Sequence, residues 1–269
     1  MLLRLSSVAA LVTGLGSALL MAAAVSAGAA MPRAELAYVS YHDFQSDIMV
    51  YDAARNVGHN LTRTRAYELN PVWSPDGNRI AFVSDREFGL HIFVMDADGR
   101  NVRRLTPSGR AYEAPRWSGD GTRLAFVARG PGGVSVYTVL ADGTGFEQVS
   151  GQTTDPGSIM LELDLDAPAA SGPQSPASTA VLKVTFIEHA GWGLMLSAVD
   201  GEPGSLLALL GRNYGETLSL SWSPDGQQIA YLSSSDGQTD LYIIAPIPGS
   251  PAQRVTDTTA YESSPVWRP

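Results

Sequence analysis

The sequence predicts an all-β fold made from one four-stranded unit, repeated and closed into a ring. Three observations predict it. First, the pentapeptide Trp73-Ser74-Pro75-Asp76-Gly77 returns as Trp117-Ser118-Gly119-Asp120-Gly121 and as Trp222-Ser223-Pro224-Asp225-Gly226, and a cut-off copy, Trp267-Arg268-Pro269, ends the sequence. Second, the copies step by 44 residues (Trp73 to Trp117) and 45 residues (Trp222 to Trp267). Third, each turn is followed by short alternating, β-branched runs punctuated by glycine. Units of ~40–50 residues holding four short strands are the mark of β-propeller blades.

Each element of the unit has a local reason. Strand a ends at the tryptophan, as in Pro71-Val72-Trp73. The Ser-Pro-Asp-Gly turn then places proline where φ is preset and glycine where φ must be positive. Strand b, Arg79–Ser84, alternates and is β-branched; strand c, His91–Asp96, closes on the Asp98-Gly99 hairpin; strand d ends at Leu105-Thr106. The pieces recur at Leu124–Ala128, Val136–Leu140 and Gln148–Ser150, and at Ile229–Leu232, Leu241–Ile244 and Arg254–Thr256. From Trp117 to Trp222 the gap of 105 residues holds a degenerate copy. There Lys183–Ile187 matches Arg79–Val83, and the turn is replaced by a Pro/Ala/Ser-rich insertion, 166–180.

Closure follows from the strand count. The body starts on a b strand (Leu36–Ser40), continues through c (Asp47–Asp52) and d (Asn60–Thr62), and finishes on an a strand (Pro265–Trp267). The two ends therefore share one blade. Four whole blades and the shared one make five, a ring without open sheet edges over 34–269.

Composition narrows the function classes. The chain has 269 residues, is 44% hydrophobic and 17% charged, and carries a net charge of −9. That excludes wholesale disorder and makes nucleic acid and anionic membrane surfaces poor partners. No cysteine is present, which removes disulfides, thiolate metal sites, a thiol nucleophile and a lipid anchor on cysteine. The first 29 residues read as a secretory signal peptide: Arg4, an apolar run, and small residues at Val25-Ser26-Ala27 and Ala27-Gly28-Ala29. An uncleaved membrane anchor is the alternative, because the run is long enough to span. Both place the propeller outside the cytoplasm, periplasmic or extracellular.

The turn Trp-Ser-Pro-Asp-Gly, the strand Arg79–Asp85 and the strand Arg103–Thr106 resemble the propeller repeat of TolB-like proteins. The likeness covers most of Ala34–Pro269 and is weak from Gly151 to Gly211. Members of that family carry an α/β domain before the propeller and usually six blades. Here only a few residues separate the leader from the first strand. The resemblance thus implies the fold and an exported binding role, and not envelope assembly itself.

Catalytic signatures are missing. The sequence has no Gly-x-Ser-x-Gly elbow, phosphate loop or His-Glu-x-x-His. His42, His59, His91 and His189 are isolated, and Asp96-x-Asp98-Gly99-x-Asn101 falls on a hairpin and reads as a turn, not a calcium loop. No cofactor, metal centre or catalytic residue is expected. One constellation recurs. An aromatic–acid pair precedes strand a as Tyr67-Glu68, Tyr112-Glu113 and Tyr261-Glu262, stretched as Tyr214-x-Glu216, with Asp155 at the degenerate copy. Glu68, Glu113, Asp155, Glu216 and Glu262 are expected on one face at the mouth of the channel, holding a cation or a basic group. The alternative is that each carboxylate caps backbone N–H groups. Loops between b and c, on the same face, carry Tyr41, His42, Phe44, Phe88 and Trp192, suited to a protein or peptide partner. The reading is an exported, non-catalytic binding or scaffold module. Its rival is a glycan or lactone hydrolase using channel carboxylates.

Overall fold

The computed structural model describes residues 34–130, 133–150, 180–187, 191–198, 205–211, 220–234 and 238–269. The leader and most of the 166–180 insertion lie outside these residues. All regular structure among the described residues is strand, gathered into five antiparallel sheets. The first sheet joins the two ends of the body: β1 (Glu35–His42), β2 (Gln45–Asp52) and β3 (Val57–Asn60) are completed on the inside by β19 (Tyr261–Trp267). The second runs β4 (Glu68–Trp73), β5 (Arg79–Ser84), β6 (His91–Asp96) and β7 (Arg103–Arg104). The third runs β8 (Ala111–Trp117), β9 (Arg123–Gly130), β10 (Gly133–Leu140) and β11 (Glu147–Gln148). The fourth contains β12 (Ala180–Ile187), β13 (Gly191–Ala198) and β14 (Ser205–Gly211). The fifth contains β15 (Leu220–Trp222), β16 (Ile229–Ser233), β17 (Asp240–Ile244) and β18 (Gln253–Arg254). The expected pairing of the terminal strands is present, with Leu36 opposite Trp267 and Ser40 opposite Glu262.

The core lies between sheets. Ala37, Ile48 and Val50 of the first sheet meet Trp73, Ile80, Phe82, Phe93 and Met95 of the second. Ala81, Val83, Ile92 and Val94 meet Tyr112, Leu124, Phe126 and Tyr137 of the third. Leu194 of the fourth meets Ile229, Tyr231 and Tyr242 of the fifth. Leu36, Tyr38 and Tyr51 close against Ala230, Leu232, Leu241 and Ile243. Both faces of a strand such as Ile80-Ala81-Phe82-Val83 are therefore buried, one against each neighbouring sheet. Face-to-face stacking of the first sheet on the second, the second on the third, the fourth on the fifth and the fifth on the first is the packing of a β-propeller.

The repeated turn works as its residues require. Ser74, Ser118 and Ser223 each donate their hydroxyl to the aspartate two positions on, at 2.5, 2.6 and 2.6 Å. Each also accepts the N–H that opens strand b, at 2.9 Å. The turn glycines Gly77, Gly121 and Gly226 sit at φ 66, 68 and 67°. The tryptophans tie sheets together: Trp73, Trp117 and Trp267 donate their indole N–H to the carbonyls of Val266, Val72 and Ser221 in the preceding inner strand. Asp98-Gly99 forms the expected hairpin, with Asn101 donating to Asp96 at 2.6 Å.

A second repeat is less visible in sequence. Thr62, Thr106, Ser150 and Thr256 follow the d strands, and each accepts the N–H of a c-strand residue, Ile48, Ile92, Val136 and Leu241, at 2.9–3.1 Å. The hydroxyl thereby extends the ladder past the end of the outer strand, which is four residues long in the first sheet and two in the second, third and fifth. Thr106 is buried and also meets His91 Nδ1. Thr106→Val should cost about 1–2 kcal/mol by stranding the Ile92 N–H, whereas Thr106→Ser should be close to neutral. Denaturant unfolding of the two variants checks this.

Candidate functional site

Each a strand starts, and each b strand ends, at the same end of its sheet, opposite the Ser-Pro-Asp-Gly turns. The connections into strand a and the b–c turns therefore share that end. Glu68 opens β4 opposite Ser84, and Glu262 lies in β19 opposite Ser40. Ser84 and Ser40 both stand four residues beyond the partner of the blade tryptophan, so the two glutamates occupy one slot in two sheets. Both are buried, at 0% and 1% exposure.

Their partners differ. Glu68 Oε1 accepts from Thr64 Oγ1 at 2.7 Å and pairs with the Arg86 guanidinium at 2.7 Å. Glu262 Oε1 accepts from Ser40 Oγ and Thr258 Oγ1, each at 3.3 Å. Each Oε2 is buried without a hydrogen-bond partner. Burial raises the Glu68 carboxyl above its ordinary range, with Thr64 and Arg86 pulling the other way. Glu262 lacks a guanidinium. Burial pushes it up to about 7, Ser40 and Thr258 offset this in part, and the nearby Asp240 adds to it. Hydroxyls and an arginine hold these carboxylates, so the backbone-capping alternative is not what the described residues display.

Glu113 does not join them. It pairs with Val127, and it is Tyr112, opposite Ala128, that stands in the Glu68 slot. A one-residue shift moves a strand side chain to the other face. Tyr112 is accordingly buried against Phe126 and His91, while Glu113 is a third exposed and bonds Arg129. Counting back from the tryptophan finds the slot in sequence: five residues for Glu68 and Glu262, four for Glu113. The Tyr-Glu dipeptide conceals that offset. Asp155 and Glu216 lie outside the described residues.

Two of the four aromatics expected in b–c loops are at hairpin tips, and two are in strands. Tyr41 is in β1, edge-to-face with Tyr261 at 5.7 Å. Trp192 is in β13, opposite Phe186. Phe44 and Phe88 occupy equivalent tips, four residues beyond Ser40 and Ser84. They are 95% and 101% exposed, at φ 62° and 55°. Tyr67 lies between the two tips: it bridges Ser46, and its N–H is accepted by Asp85 at 2.8 Å. Tyr67 and Tyr261 are also exposed. Sequence reasoning missed the paired basic position, Arg86 or His42, two residues beyond Ser84 or Ser40. Among the described residues no group of three acidic or imidazole side chains is placed to hold a metal ion.

A family model described as the TolB beta propeller domain matches residues 16–160. No curated protein matches the chain. Among solved structures, TolB from Acinetobacter baumannii is similar at a TM-score of 0.63 and 17% identity, over 88% of this chain and 67% of that one. A putative TolB from Agrobacterium tumefaciens gives a TM-score of 0.32 at 17% identity, over 85% of this chain and 72% of that one. An oligogalacturonate lyase in complex with manganese gives 0.35 at 16% identity, over 76% and 55%. At 17% identity the likeness to the Acinetobacter baumannii structure is one of fold.

Proposed function

Because this chain belongs to the TolB β-propeller domain family, we propose that it is an exported, non-catalytic binding module whose protein or peptide partner docks at the end carrying the b–c turns. The N-terminal leader pattern supports export, and among the described residues no helix is long and apolar enough to cross a membrane.

One observation carries the docking reading. Phe44 and Phe88 are fully exposed at equivalent tips, each with a positive φ. A bulky residue at positive φ is strained, and such strain persists where the surroundings or a function maintain it. Exposed phenylalanine also gains nothing from its own fold. With Tyr67 and Tyr261 they are four exposed aromatic rings on the segments at this end of the sheets, the side-chain type that anchors interfaces. The two phenyl rings have no proton to transfer, which favours a binding role over a hydrolase at these tips.

The test uses the full chain as bait in cross-linking capture from the cell envelope. Phe44→Ser with Phe88→Ser should reduce retention of a specifically captured partner by about tenfold or more. Stability should stay within about 0.5 kcal/mol, because neither ring packs inside. Equal retention by the double variant refutes this docking surface.

A further inference from the structure

The first and second sheets carry the same small site with one part different. In the second sheet, Glu68 is held by Thr64, four residues before it, and by Arg86, two residues beyond Ser84 on the paired strand. In the first sheet, Glu262 is held by Thr258, four residues before it, and by Ser40 on the paired strand. The position two beyond Ser40 is His42, and it does not reach the carboxylate: its Nε2 meets Gln45 at 3.1 Å and Asp47 at 3.5 Å. The glutamate, the threonine and the serine strand position are retained; the guanidinium is missing.

What Arg86 does in the second sheet defines what fits in the first. Its guanidinium bonds Glu68 Oε1 and lies over the Phe82 and Phe93 rings, at 5.2 and 5.1 Å. Phe82 stands two residues before Ser84. The residue two before Ser40 is Tyr38, a buried ring that can supply the same platform. Among the described residues, the titratable groups that interact electrostatically with Glu262 are Tyr38 from β1 and Asp240 from β17; Asp240 is paired with Arg254 from β18, and His42, two residues beyond Ser40, is paired with Asp47 from β2. Arg254 is committed to Asp240 at 2.6 Å and Asp257 at 3.0 Å. Two carboxylates thus share this neighbourhood with one engaged cation. Glu262 Oε2 is buried without a partner.

We propose that the slot between Glu262 and Tyr38 receives, in trans, a guanidinium from an arginine of the partner polypeptide, taking the place that Arg86 fills in cis in the neighbouring sheet. The proposal rests on the docking reading above and gives that partner its chemistry. A planar guanidinium offers two parallel donors to a carboxylate and a flat face to a ring, which an ammonium does not. Entry runs past His42, which is 39% exposed and is held by the half-buried Gln45 and by the buried Asp47. The side chain of Arg86 starts from the corresponding backbone position.

The test is a thermal-shift and calorimetric titration of the full chain with N-acetylarginine methylamide, its uncharged citrulline analogue and free arginine, in the millimolar range at pH 8 and pH 5. The capped arginine should raise Tm at pH 8. The citrulline analogue should bind at least about tenfold more weakly, as should the capped arginine to Glu262→Gln. At pH 5, where Glu262 holds a proton, the shift should vanish. His42→Arg should raise the protein's own Tm at pH 8 and abolish the response, because the slot is then filled in cis. Equal binding of arginine and citrulline analogues, no shift at all, or full binding by Glu262→Gln overturns the proposal. Tighter binding of free arginine than of the capped form overturns the polypeptide source. These titrations do not involve Phe44 or Phe88, so the docking reading can fail while this one stands, and the reverse.

Discussion

Trp267→Ala is expected to lower stability by about 3–5 kcal/mol, the cost of emptying a buried aromatic site. A chain ending at Ala260 should lose the first sheet's integrity altogether. Trp267 is 4% exposed and packs among Leu36, Tyr38, Ala230 and Leu241. Its indole N–H bonds Ser221 of the fifth sheet at 3.0 Å, while its strand pairs with β1 of the first. The next residue, Arg268, pairs with Glu35 and lies over the Trp73 ring of the second sheet at 5.2 Å. The last strand thus touches three sheets. Removing it exposes the inner edge of β1 and a face of two sheets at once. Denaturant unfolding of Trp267→Ala, and near-ultraviolet circular dichroism of the shortened chain, measure the two effects. Near-native stability in both would mean that the seam is not a structural closure.

Glu262→Gln is expected to stabilise the protein relative to wild type at pH 8 and to do little at pH 4. Burial raises the Glu262 carboxyl from 4.5 to about 7, so the folded state holds a proton that the unfolded chain releases. Its contribution to stability is complete below about pH 4.5, falls as pH rises towards 7, and stays lost above that. The shift corresponds to about 3 kcal/mol. Glutamine keeps the shape and accepts the Ser40 and Thr258 hydrogen bonds without titrating. The difference in unfolding free energy between variant and wild type, measured from pH 4 to pH 8, should therefore rise through this window and level off. A flat difference would show that Glu262 is satisfied when ionised. Glu68→Gln should show a weaker dependence, because Arg86 already balances that charge at 2.7 Å.

Much of the fold was legible because its signals are local. A Ser-Pro-Asp-Gly turn needs proline and glycine at fixed places, and alternating apolar runs need a sheet face to bury. Their spacing of 44–45 residues and the odd a strand at the end were enough to predict that β19 completes the first sheet. The exposed Phe44 and Phe88 were also legible, since hairpin tips follow from the strands on either side. The acidic site was legible only in part. The Tyr-Glu dipeptide put Glu113 with Glu68 and Glu262, yet the bulge in each inner strand fixes register from the tryptophan, and Tyr112 takes the slot instead.

The sequence by itself determined the repeat, the turns, the strand order and the pairing of first and last strands, because each depends on backbone preferences within a few residues or on a count. Only the tertiary structure decided which carboxylate is neutralised. Glu68 and Glu262 have the same local sequence environment, a threonine four residues before and a serine across the ladder. What separates them is the residue that the paired strand brings over the carboxylate, Arg86 in one sheet and His42 in the other, and whether that side chain turns inward. Its direction is set by contacts between strands distant in sequence, Glu262 lying 222 residues from Ser40. Burial raises both carboxyls, and the difference of partner decides how far that is offset, since a carboxylate removed from water is stabilised as an ion by a neighbouring cation or by hydrogen-bond donors.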